Sequence, residues 1–225
     1  MIKAQFVERR NRFMALVRLE SGETVAAHVP NSGRLRELFR PGREIYLEEK
    51  PEPHRVTKYD LALVEYNGNL VSVDARVPNR VVADAVENRE LPEFSGYRVV
   101  RQEVKYGASR LDMLLENKNG LRFYVEVKSV TLVKDGIAMF PDAPTVRGAR
   151  HMAELAGAVA KGYRGAAVFL IQREDARAFT PNDTTDPNFG EALREAAGMG
   201  VEIYAFLCNV SVMGVRITRP IPVWL

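Results

Sequence analysis

Asp112 stands fourteen residues ahead of a Glu126-Val127-Lys128 triplet. Strand periodicity puts Glu126 and Lys128 on one face and Val125 and Val127 on the other. The valines can then bury against a helix while the charged pair faces a cleft. If the flanks of Asn117–Gly120 form a hairpin, Asp112 lies on the adjoining strand and two carboxylates meet one lysine. Carboxylate oxygens are the hard ligands that Mg²⁺ or Mn²⁺ requires. Such an ion can polarise a phosphate and activate water, and the lysine can orient that water or offset charge in the transition state. The chemistry indicated is phosphodiester hydrolysis. Asp112, Glu126 and Lys128 are the catalytic candidates, and Asp112 and Glu126 are also the metal-ligand candidates. Asp84 on a preceding helix is the candidate third acid, with Glu103 as the other option and Glu87, one helical turn on, in reserve.

An E-x-K on a strand is also a common surface pattern of alternating charge, so the surrounding elements must carry the argument. Asn79–Asn88 is expected to be a helix with Val82, Ala85 and Val86 on its apolar side. Strands over Arg98–Tyr106, Leu111–Glu116 and Arg122–Val130 follow. A helix over about 145–161 should bury Ala149, Met152, Ala153, Ala156 and Ala160, with Asp142 as its cap and Pro144 in its first turn. Ala166–Gln172 is a continuous apolar run, the mark of a sheet centre. Asp186-Pro187 reads as cap and first residue of another helix, and Val201–Leu207 and Val210–Thr218 close the sheet. Upstream, about 75 residues read as all-β. Five or six strands and one short helical turn at Arg34–Phe39 suggest a small OB-type barrel.

Composition sets outer bounds. The chain has 225 residues, 46% hydrophobic and 27% charged, which suits a globular protein of one large or two smaller domains. No apolar run nears the roughly 20 residues that span a bilayer. A signal-peptide pattern and a disulfide framework are both absent, since Cys208 stands alone. The expectation is a cytoplasmic protein with no membrane partner. With three His and one Cys, a zinc site is disfavoured. There is no Walker-type loop, G-x-S-x-G elbow or helix-turn-helix pattern. Residues 1–58 hold 12 Lys or Arg against 8 Asp or Glu, a net of +4, while the whole chain is +3. The rest is therefore −1, and the basic first segment is compatible with a phosphate backbone or with a plain solvated surface.

The order helix, three strands, helix around Asp112 and Glu126-x-Lys128 resembles the restriction-endonuclease-like, PD-(D/E)xK nuclease fold. A closer resemblance covers nearly the whole chain. It rests on Val29-Pro30-Asn31-Ser32-Gly33, Asn79-Arg80, Glu103–Gly107, Arg110-x-Asp112, Tyr124–Leu132, Phe140-Pro141-Asp142-Ala143, Thr145-x-Arg147-Gly148 and His151. By these blocks the chain is similar to the sugar fermentation stimulation protein (SfsA) family. The resemblance implies an α/β protein of two domains, an OB-like β-barrel at 1–76 and a nuclease-like α/β domain with a mixed sheet at 77–225. It implies DNA binding without strong sequence preference, puts Asp112, Glu126 and Lys128 in the nuclease-type site, and puts the helix acid at Asp84. It supports DNA binding more than cleavage.

Arg34, Arg36, Arg147 and His151 are the nucleic-acid-binding candidates. Backbone N–H groups near Asn31 could hold a phosphate, or Asn31 could merely cap a turn. Asp142 could sit at the rim of the site, and Arg150 could as well be solvated. Two rivals to the nuclease reading stay open, a non-catalytic DNA-binding or regulatory protein and an enzyme acting on a small phosphorylated metabolite. A homo-oligomer is compatible with all three.

Overall fold

The computed structural model describes residues 1–52 and 54–225. Alternating apolar residues in Ile2–Asn11 (β1), Met14–Leu19 (β2), Thr24–His28 (β3), Glu44–Glu49 (β4) and Tyr59–Tyr66 (β5) turn Phe6, Val17, Ala27, Ile45 and Leu61 into one core. β1 pairs with both β2 and β4, and β4 pairs with β5. β3 closes the ring by parallel pairing of Ala27 with Tyr59 and His28 with Asp60. This is the expected OB-like barrel, and Asn69–Ser72 (β6) returns along β5. Arg34–Phe39, between β3 and β4, holds the expected single helical turn, with Phe39 N donating to Leu35 O at 2.9 Å and Leu38 N to the same carbonyl at 3.1 Å. Leu35, whose carbonyl accepts both bonds at the start of this turn, is buried with φ of 52°.

The second sheet runs β15-β14-β12-β9-β8-β7. Its strands are Tyr97–Tyr106 (β7), Ser109–Asn117 (β8), Arg122–Val130 (β9), Arg164–Ile171 (β12), Glu202–Ser211 (β14) and Gly214–Pro220 (β15). β12, the continuous apolar run, lies between β9 and β14 and is parallel to both. The other pairings are antiparallel, so the sheet is mixed. Helix α1 (Val77–Glu87) covers one face, and α2 (Val146–Ala160) and α3 (Pro187–Gly198) cover the other. Leu132–Lys134 (β10), Ile137–Phe140 (β11) and Ala178–Pro181 (β13) make a small side sheet.

Asp186 caps α3 by accepting from Phe189 N at 3.1 Å, as expected. The cap of α2 is corrected. Thr145 Oγ1 accepts from Gly148 N at 3.0 Å, while Asp142 lies upstream and accepts from Leu35 N at 3.0 Å. The phase of α2 is corrected too. Its buried stripe is Gly148, His151, Met152, Leu155, Ala156 and Ala158, with Ala153 and Ala160 exposed. Leu155 and Met152 carry more apolar area than the alanines, so they decide which side faces the sheet.

The barrel also packs on the second sheet. Ala62 and Leu63 of β5 share a core with α1 and β9, and Ser72 N donates to Gln172 O at 3.1 Å. Arg173 is fully buried at this seam, with Nη1 on Thr131 O at 3.0 Å and its guanidinium 4.9 Å over the Tyr66 ring. No helix among the described residues is long and apolar enough to cross a membrane.

Candidate functional site

The β8–β9 hairpin pairs Met113 with Val125. The ladder ends at that pair, and Asp112, one residue on, turns its carboxylate onto Val127 N at 2.8 Å. β9 turns Val125 and Val127 into the core under α1 and leaves Glu126, Lys128 and Asp112 on the wall of a cleft of about 550 Å³. The opposite wall is the barrel's Arg12 and Asn31–Gly33, and the third side is the Phe140–Gly148 segment. The three residues expected to share one site are therefore together.

Their surroundings differ. Glu126 is 2% exposed. Its Oε1 accepts from Lys128 Nζ at 2.6 Å and from His151 Nδ1. Its Oε2 is buried with no hydrogen-bond partner. Burial acts to raise the Glu126 pKa, but the His151 hydrogen bond and the Lys128 charge outweigh it and hold the carboxyl below its ordinary value. Asp112 goes the other way. Burial, then the Glu126 charge, push it up to about 6, although Val127 N donates to Oδ2 and Asn79 Nδ2 to Oδ1, both at 2.8 Å.

His151 is 1% exposed and sits under the site, which corrects the expectation of a DNA-facing side chain. Arg147 Nε donates to His151 Nε2 at 3.3 Å. An arginine can only donate, which assigns the proton to Nδ1 and makes that nitrogen the donor to Glu126. Arg147 is exposed and lines the cleft. Arg150 Nε is bonded to Ser109 Oγ at 3.1 Å.

Asp84 is exposed and outside the cleft lining. α1 reaches the site through Asn79 instead. Five residues on, at about 100° each, Asp84 has turned roughly 140° away. Glu87, the reserve choice, is likewise exposed, and its Oε1 accepts from Val99 N at 2.6 Å. Glu103 adopts φ of 52° and its exposed carboxylate pairs with Arg110 at 3.0 Å. Asn31 lines the cleft, but its side chain is used in the loop, accepting from Gly33 N at 2.8 Å and donating to Val73 O at 3.0 Å. Arg34 and Arg36 line the adjoining hollow with Arg12. Sequence reasoning missed Asn79 and Arg12. Asn79 offered one signal, its place in the Asn79-Arg80 block.

The donor set fits a hard divalent cation. Among the described residues no group of three or more His, Cys, Asp or Glu forms a metal-binding cluster. Two carboxylates still match the habit of Mg²⁺, which binds through one or two of them and keeps water or phosphate oxygens for the rest. A buried carboxylate oxygen without a donor is costly unless something compensates it, and Glu126 Oε2 is such an atom.

Two family models cover most of the chain. One, described as the SfsA N-terminal OB domain, matches residues 7–73, and one described as the sugar fermentation stimulation protein RE domain matches residues 76–214. The chain belongs to the SfsA family. It is 48% identical to the sugar fermentation stimulation protein homolog of Desulforamulus reducens over 225 residues, covering 100% of this chain and 93% of that one. It is also 48% identical to the homolog of Moorella thermoacetica, covering 100% and 97%. The structure of Pyrococcus furiosus SfsA in complex with Ca²⁺ superposes with a TM-score of 0.93 at 34% identity, covering 100% and 96%. The SfsA fold is thus shared over the full length of the chain.

Proposed function

We propose that this SfsA-family chain is a divalent-metal-dependent phosphodiesterase acting on DNA, with the barrel ending near residue 76 and the nuclease-like domain beginning at 77. The observation that carries it is the Asp112 carboxylate held on Val127 N, between Glu126 and Lys128 in the chain, with Lys128 on one Glu126 oxygen and the other left without a partner. Asp112 and Glu126 would hold Mg²⁺ or Mn²⁺. The ion, when bound, would polarise the scissile phosphate and stabilise charge developing on it. P. furiosus SfsA forms a complex with Ca²⁺, which supports a divalent-ion reading.

The protein's own groups do the rest. Asn79 and Val127 N fix the rotamer of Asp112. His151 and Lys128 both engage Oε1 of Glu126, so Oε2 is the oxygen left for a ligand. The Lys128 ammonium lies where it can orient water or offset phosphate charge. Arg147, at the cleft edge, can take a neighbouring phosphate with its terminal nitrogens while its Nε stays on His151. Binding without sequence preference follows from contacts aimed at phosphates rather than base edges.

DNA cleavage in Mg²⁺ or Mn²⁺ tests the reading, with Mn²⁺ binding measured in parallel. Activity should disappear in Asp112→Ala and in Glu126→Ala. Metal-dependent cleavage that persists in both variants would sink it. One observation favours the rival, a DNA-binding protein that does not cut: the site has two carboxylates rather than three, because Asp84 faces solvent. That rival is favoured if Mn²⁺ and DNA both bind and no strand is broken.

A further inference from the structure

The turn between β1 and β2, Asn11 to Met14, borders three hollows in a row. The carboxylate cleft and the hollow beside it share Arg12, Ser32 and Gly33. That second hollow and a third share Asn11. The second is lined by five arginines, Arg9, Arg12, Arg34, Arg36 and Arg40, and by no acid. Arg9 is its floor. Its guanidinium donates to the carbonyls of Gly33, Arg34 and Asn31 at 2.6, 2.8 and 2.9 Å and to that of Arg12 at 2.6 Å, and lies 5.3 Å over the Phe39 ring. One half-buried cation therefore fixes the two backbone segments that carry Arg12 and Arg34.

The other four arginines are exposed, and among the described residues none of their guanidinium groups has an ion-pair or hydrogen-bond partner. Some cations elsewhere are neutralised. Lys3, Lys50, Arg110, Arg164 and Arg194 each sit on a carboxylate. Four unneutralised guanidiniums on a braced loop form a surface for a polyanion.

The third hollow supplies a different chemistry. Phe13 is 48% exposed, with its ring 6.4 Å from His28 at an interplanar angle of 27°. Met14 and the exposed Val56 extend this apolar patch, and Arg55 and Arg76 border it. An exposed aromatic ring beside a phosphate-binding shelf has a use when bases present their faces. In a duplex those faces are hidden in the stack, whereas in a single strand they are free to lie on the ring.

We propose that this strip binds single-stranded DNA, stacking a base on Phe13, holding successive phosphates on Arg12, Arg34, Arg36 and Arg40, and leading the strand into the Asp112–Glu126 cleft. The proposal rests on the DNA reading given above and adds the substrate class. Every contact in it is to a phosphate or a base face, so it carries no sequence preference.

Fluorescence anisotropy in EDTA tests it, with a labelled oligo(dT) of about 15 nucleotides and a blunt hairpin duplex carrying as many phosphates. The single strand should bind at least about tenfold more tightly than the duplex, since one stacked base is worth that much. Phe13→Ala should weaken single-strand binding about tenfold and leave the duplex unchanged, and Phe13→Trp should restore it. The double variant Arg34→Gln/Arg36→Gln should lower the slope of log affinity against log salt by about 1.4, or about 0.7 per phosphate contact. Equal or tighter duplex binding, or no loss in Phe13→Ala, overturns the proposal. If the binding pattern holds and Mn²⁺ yields no cleavage, the hydrolysis reading fails and the strip stands. If blunt duplex is cut and Phe13→Ala does not alter the cutting, the strip falls and hydrolysis stands.

Discussion

Two carboxylate clusters, one in the barrel and one in the cleft, are finished differently. In the barrel, Asp60 is 0% exposed and accepts from Arg55 on one oxygen and from Arg76 Nη2 on the other at 2.7 Å. Arg76 also holds Asp74 at 2.6 Å. Against the penalty of burial, these guanidinium bonds hold the Asp60 carboxyl below its ordinary value. In the cleft, Lys128 and His151 crowd one oxygen of Glu126 and leave the other bare, and Asp112 rises to about 6. A completed cluster contributes stability. An incomplete one costs stability and is poised for a ligand.

The largest effect should separate the clusters by function. Glu126→Ala is expected to abolish measurable Mn²⁺ binding in calorimetry and to reduce cleavage by about a thousandfold, whereas Asp60→Asn leaves both near wild type once folded. Next, the two acids should differ in the sign of their stability effects. The folded pKa of Asp112 is raised, so its favourable contribution is complete below the unfolded value near 4 and is lost as pH rises through about 6. In metal-free protein at pH 7, Asp112→Asn should therefore stabilise by up to about 3 kcal/mol in urea unfolding, and the gain should vanish near pH 4. The folded pKa of Asp60 is lowered, so its contribution is present at neutral pH and is lost as pH falls through that value. Asp60→Asn should destabilise by about 2 kcal/mol at pH 7, with the deficit closing in acid. A gain in stability from Asp60→Asn would break the comparison.

Smaller effects sharpen it. His151→Leu removes the donor that holds Glu126 Oε1 while filling similar space. Mn²⁺ affinity should drop about tenfold, the usual cost of losing an orienting partner, and unchanged affinity would remove His151 from the site. Asp84→Ala, on the exposed face of α1, should change neither Mn²⁺ affinity nor stability by more than about 0.5 kcal/mol.

The hairpin at the heart of the site is legible in the sequence because strand alternation is strict. Once Val125 and Val127 are buried, Glu126 and Lys128 must face the other way, and a short turn returns Asp112 beside them. Helices give less. An error of two residues in the start of α1, with weight placed on acidic residues, points to Asp84 when Asn79 is the side chain that arrives. In α2 an imidazole counts as polar and is expected outside, yet its bond to a buried carboxylate makes it an inside residue. The seam between barrel and sheet is not legible at all. Gln172 and Arg173 meet Ser72 and Tyr66 across some hundred positions of sequence, and no local pattern records such a meeting. Asp142 looks like a helix cap for the same reason, since its partner, Leu35 N, lies on the barrel.

That last bond carries a mechanical consequence. A Cβ at Gly33 would lie 2.6 Å from Asp142 Oδ2, so the barrel loop packs directly on the carboxylate that the Phe140–Gly148 segment extends to it. Any side chain at position 33 would push the Asp142 carboxylate aside and off Leu35 N. With this rivet in place, the span from Phe13 to Glu126 has a set length. If the proposed strip and hydrolytic site both hold, a strand laid along it is cut at a constant offset from whichever base the ring grips, as with a ruler rather than a sliding blade.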